Sequence, residues 1–89
     1  MKLKSGFLLE QVGGTYLAVA VGDRADEFKV LIKLNSTGAF LWNLMQDRDV
    51  SREELIDAIM NTYEGVTREV AERDIIIFET KLREGGILE

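Results

Sequence analysis

Residues 28–42 read Phe28-Lys29-Val30-Leu31-Ile32-Lys33-Leu34-Asn35-Ser36-Thr37-Gly38-Ala39-Phe40-Leu41-Trp42, and their hydrophobic period changes partway along. Up to Leu34 the period is two: Phe28, Val30, Ile32 and Leu34 share one face, with Lys29, Leu31 and Lys33 on the other. This is a strand with one fully apolar face, and the lysines flanking Leu31 suit a sheet edge, where charge discourages indiscriminate pairing. Beyond Leu34 the period becomes helical. Asn35 or Ser36 can cap a helix carrying Phe40, Leu41, Leu44 and Met45 on one side, which ends at the polar run Gln46-Asp47-Arg48-Asp49. The chain therefore passes here from strands to helices.

Upstream, the apolar runs Phe7 to Val12 and Thr15 to Val21 flank Gly13-Gly14, a pair that tolerates the positive φ of tight hairpin turns. Gly22-Asp23-Arg24-Ala25-Asp26-Glu27 reads as a polar connection to the third strand. Downstream, Ser51 and Glu54 have the spacing of a capping box, opening a second helix through Leu55, Ile56, Ile59, Met60 and Tyr63 that stops near Gly65. A third helix starts at Thr67 and ends at about Glu84, before Gly85-Gly86, after which Ile87 and Leu88 return to the core or add a short strand. The expected class is α+β: a three-stranded antiparallel sheet followed by three helices, in one domain over residues 1–89.

At 100° per residue, Ala71, Ile75, Phe78 and Leu82 of the third helix form one stripe and account for its core contact. Val70, Ile77 and the stem of Lys81 form a neighbouring stripe, with Asp74 between the two. A surface helix needs only one apolar face. The second stripe reads either as a broader core or dimer contact, or as the wall of a peptide groove.

Composition removes whole classes of function. The 89 residues hold 46% hydrophobic and 30% charged residues, in the range of folded globular domains. Eleven Lys+Arg against 16 Asp+Glu leave a net charge of −5, which opposes a polyanionic partner. With no Cys and no His there is no disulfide, no thiolate nucleophile and no imidazole base. Ser5, Ser36 and Ser51 have nothing to activate them, and two of the three sit at helix starts. Asp23, Asp26 and Glu27 lack the spacing of a calcium loop, and no G-x-G-x-x-G or phosphate-loop pattern occurs, so no metal, cofactor or catalytic role is expected. An acyl carrier would need an attachment Asp-Ser-Leu, which is missing. No apolar run approaches the ~18 residues of a membrane span, and the N-terminal run breaks at Glu10, which reads as a cytoplasmic chain. Asn35-Ser36-Thr37 reads as a helix cap rather than a glycosylation site, and Trp42, Tyr16 and Phe40 as core aromatics.

The run Leu34 to Trp42, the Glu53-Glu54-Leu55 helix start, and the ending Asp74…Phe78…Leu82-Arg83-Glu84-Gly85-Gly86-Ile87-Leu88 resemble the PqqD family from Phe7 to Leu88. Its members, also called RiPP recognition elements, are small peptide-binding proteins associated with ribosomal peptide modification. The resemblance implies a permuted winged-helix-like fold in which the leader of a precursor peptide adds as a further strand to the third strand, against the third helix. It also implies presentation of that peptide to a radical SAM or other tailoring enzyme. On strand and helix arithmetic the peptide site comprises Lys29, Val30, Leu31, Ile32 and Lys33 on one side, and Val70, Asp74, Ile77 and Lys81 on the other. The same open edge and the Gly-Gly hairpin allow a homodimer through strand exchange or edge pairing, which bound leader would compete away. A winged-helix DNA-binding regulator is the rival reading. It is opposed by the third helix, whose Arg68, Arg73, Lys81 and Arg83 are offset by Glu69, Glu72, Asp74, Glu79 and Glu84.

Overall fold

A computed structural model describes residues 1–27 and 32–89. β1 (Phe7–Val12) and β2 (Thr15–Ala20) form an antiparallel hairpin in which Val12 faces Thr15, and Gly13 takes a φ of 62° in the two-residue loop. A side chain would resist that angle; glycine does not. The polar connection after β2 is more ordered than its composition implies. Arg24–Glu27 closes one helical turn, α1, and the Arg24 Nε donates to the Ser5 carbonyl at 3.1 Å. Residues 28–31 of the expected third strand lie outside the described residues; its remainder forms β3 (Ile32–Leu34). The sheet order is β1-β2-β3, so β3 pairs with β2 on one side: Tyr16 opposite Leu34, Leu17 opposite Lys33, Ala18 opposite Ile32.

Three helices follow, as the capping signals imply. α2 (Ser36–Met45) starts one residue after β3, with Asn35 as cap: its side chain accepts from the Gly38 N–H at 2.8 Å. Such a cap stabilises a helix by about 1 kcal/mol and here also fixes the angle between β3 and α2. α3 (Arg52–Thr62) carries the full Ser51–Glu54 capping box, and α4 (Arg68–Glu84) is capped by Thr67 and stops at Gly85. One core joins the layers. Phe7, Ala18, Ile32 and Leu34 from the sheet meet Leu41, Trp42 and Met45 of α2, Leu55, Ile56 and Ile59 of α3, and the stripe Ala71, Ile75, Phe78 and Leu82 of α4. Trp42 is 1% exposed, so the aromatic nearest the strand–helix junction is core; Phe40 and Tyr63 pack edge-to-face at the margin, centroids 5.7 Å apart.

Both chain ends are sewn to this core. Ile87 is buried, while Leu88 bridges Leu3, so the C-terminal pair does both things open to it. The Met1 ammonium donates to the Asp49 carboxylate at 2.9 Å and the Val50 carbonyl at 2.6 Å. α3 and α4 are clamped by Glu79, which accepts from Arg52 at 2.6 Å and Arg83 at 2.8 Å. No helix among the described residues is long and apolar enough to cross a membrane.

Candidate functional site

β3 presents two different surfaces. Ile32 and Leu34 turn inward at 7% and 4% exposure, while the Lys33 side chain is exposed on the outer face of the sheet. The backbone alternates as well. The Lys33 carbonyl accepts from the Lys81 Nζ at 3.5 Å, so it points away from β2 and toward α4. In an antiparallel ladder the N–H and C=O of one residue point to the same side, which turns the Lys33 N–H outward too and leaves Ile32 and Leu34 to bond β2. A flexible lysine ammonium is thus the described partner of a backbone group that in a wider sheet would meet another strand.

Beside this edge runs a groove of ≈ 110 Å³. Its floor is apolar, from Leu34, Leu41 and Phe78; its α4 wall carries Asp74, Ile77 and Lys81; its far end is the first turn of α2, with Asn35, Thr37 and Gly38. Ile77 is 52% exposed although its neighbour Phe78 is 4% exposed. Since α4 already buries its core stripe, Ile77 is apolar surface left over on the groove side of the helix.

Three of the expected peptide contacts, Asp74, Ile77 and Lys81, come together on this wall. Lys33 joins them through its main chain. Val70 is half-buried one turn before Asp74 and does not line the groove. The Ile32 side chain lies in the core, where it packs against Gly85 so closely that a Cβ there would collide with it. With its side chain in the core and its main chain turned to β2, Ile32 supports the edge and offers the groove neither. Lys29, Val30 and Leu31 lie outside the described residues.

The α2 end of the groove is absent from the sequence-based site. Its signal was the single residue between Leu34 and Ser36: with no loop to turn in, α2 must start against the end of β3. A Cβ on Gly38 would sit 3.1 Å from that of Leu34, which measures how tight the approach is. Leu41 and Phe78, read as core, are buried at 0% and 4% exposure and lie directly beneath the groove. Among the described residues no acidic cluster could hold a metal ion.

Comparison with known proteins adds two findings. The family model described as coenzyme PQQ synthesis protein D (PqqD) matches residues 7–88. A solved structure, TbiB1 in complex with the TbiA(beta) leader peptide, shares the fold with a TM-score of 0.74 at 24% sequence identity, over 100% of this chain and 95% of that one. None of the curated proteins matches the chain.

Proposed function

Because the chain belongs to the PqqD family, matched over residues 7–88, we propose that it binds the leader of a ribosomally made precursor peptide by strand addition at β3. The observation that carries this reading is the outward-turned backbone of Lys33 lying beside an apolar groove. An extended peptide laid there satisfies main-chain groups without regard to its side chains. Every second residue then drops toward Leu41, Ile77 and Phe78, and this supplies selectivity. The receiving edge is the segment from Lys29 to Lys33, with Lys33 offering its outward main chain, and Asp74, Ile77 and Lys81 form the helical wall. The Lys81 ammonium leaves the Lys33 carbonyl as the peptide N–H replaces it, becoming free to meet a peptide carbonyl or carboxylate. The TbiB1 structure, which contains a leader peptide, supports the reading by analogy of fold.

The chain acts by binding rather than catalysis. Holding the leader leaves the following core segment tethered at raised effective concentration for a tailoring enzyme, of the radical SAM or a similar class. β3 accepts one strand at a time, so leader and a second copy paired edge to edge exclude each other there. The test is calorimetric titration with the leader of the precursor peptide encoded beside the gene, and with a scrambled leader of equal composition. Saturable binding of the first with at least tenfold weaker binding of the second is expected; equal or no binding of both would overturn the proposal.

A further inference from the structure

The outer face of the sheet is more apolar than a solvent-facing one should be. In an antiparallel sheet with one packed side, outward residues are ordinarily polar. Here β1 turns out Leu8, Glu10 and Val12, β2 turns out Thr15, Leu17 and Val19, and β3 turns out Lys33, since the alternate residues Phe7, Leu9, Tyr16, Ala18, Ile32 and Leu34 face the core. Leu8 and Val12 are 52% and 59% exposed, and Leu17 and Val19 lie outside the core cluster. This surface is the opposite face of the sheet from the helices and takes no part in the groove.

The register says what fits it. Glu10 lies opposite Leu17, and Leu17 opposite Lys33, so one row across the sheet reads acid, leucine, base. Neither Glu10 nor Lys33 has an ion pair from its side chain among the described residues. Two copies stacked face to face have two simple symmetric arrangements. With the two-fold axis across the strands, Glu10 meets Glu10 and Lys33 meets Lys33. With the axis along the strands over Leu17, β1 of each copy lies over β3 of the other, Leu17 meets Leu17, and both Glu10–Lys33 contacts are of opposite sign. Charge disfavours the first arrangement and favours the second.

We infer that the outer sheet face binds a second copy of the chain, stacked about an axis parallel to the strands, with Leu17 at the centre and two Glu10–Lys33 pairs at the margins. Two strands of six residues and one of three, about 4.8 Å apart, present roughly 250 Å² per copy, well below the ~800 Å² of a standard interface. The dimer is accordingly weak and forms at high concentration. The free edge of β3 remains outside the contact.

Sedimentation equilibrium of the full chain between roughly 10 μM and 1 mM tests this. The mean mass should climb from 10.1 kDa toward twice that value at the upper end. Glu10→Lys alone, or Lys33→Glu alone, creates two like-charge contacts and should lower the association constant about tenfold. The double variant restores opposite signs and should return to within about twofold of the original. A mass fixed at 10.1 kDa throughout, single variants that associate like the original chain, or a double variant as weak as the singles would each overturn the inference. The exchange leaves the core untouched, and circular dichroism of all four proteins verifies that they are folded.

Discussion

Ile77 and Phe78 are neighbours in the chain with opposite work to do. Phe78 is core, and Phe78→Ala should cost about 3 to 5 kcal/mol of stability by leaving a cavity. Ile77 is half exposed on the groove wall, so Ile77→Asp should leave the melting temperature nearly unchanged and weaken leader binding at least tenfold, measured by thermal melts and calorimetry. Glu79 makes a second residue-scale case. Burial pushes its pKa up, but hydrogen bonds from Arg52 and Arg83, with their charges, outweigh burial and hold it below the ordinary 4.5. A carboxylate depressed on folding contributes stability that is present above its unfolded value and lost as pH falls through the folded one. Denaturant titrations below pH 4.5 should therefore show stability dropping with acid in the original chain, and dropping less steeply in Glu79→Gln, which starts lower at pH 7.

At the scale of elements, the open edge of β3 makes a prediction with a period of two. N-methylation of the leader, one residue at a time, should abolish binding where the amide faces β3 and spare it at the alternate positions, read by competition with a labelled leader. Loss at every position, or at none, would rule out strand pairing. How far these elements were legible in the sequence follows from the range of the forces that make them. The α4 stripe Ala71, Ile75, Phe78 and Leu82 is buried as periodicity requires, and the Asn35, Ser51 and Thr67 caps sit where local hydrogen bonding puts them, because both signals act within a turn or two of helix. The helical turn at Arg24–Glu27 was not legible: three charged residues and one alanine carry no period, and the turn is anchored by the distant Ser5 carbonyl. The far end of the groove was missed for the same reason. Thr37, Gly38 and Leu41 acquire their position from the packing of α2 on β3, a tertiary contact that no local pattern announces. Met60, one of the apolar residues through which the second helix runs, is 40% exposed, while Leu55, Ile56 and Ile59 fill the buried face.

For the whole molecule, charge and shape favour an extended peptide over a nucleic acid. The chain is acidic, and two of the four basic residues on α4 are ion-paired: Arg68 with Glu53 and Glu72, Arg83 with Glu79. What remains cannot make the basic stripe that a duplex demands. The molecule instead divides its surface among three tasks. Its helices and the inner sheet face hold the core, the β3–α4 margin is the proposed seat of a peptide strand, and the outer sheet face is the proposed contact with a second copy. The central claim is strand addition at β3, and the most direct measurement is a titration of isotopically labelled protein with the leader peptide, followed by amide chemical shifts. At saturation the amides of Lys33, Asp74, Ile77 and Lys81 should move strongly, and the Lys33 amide should exchange with solvent markedly more slowly. Saturable binding that leaves those four amides where they started would contradict it.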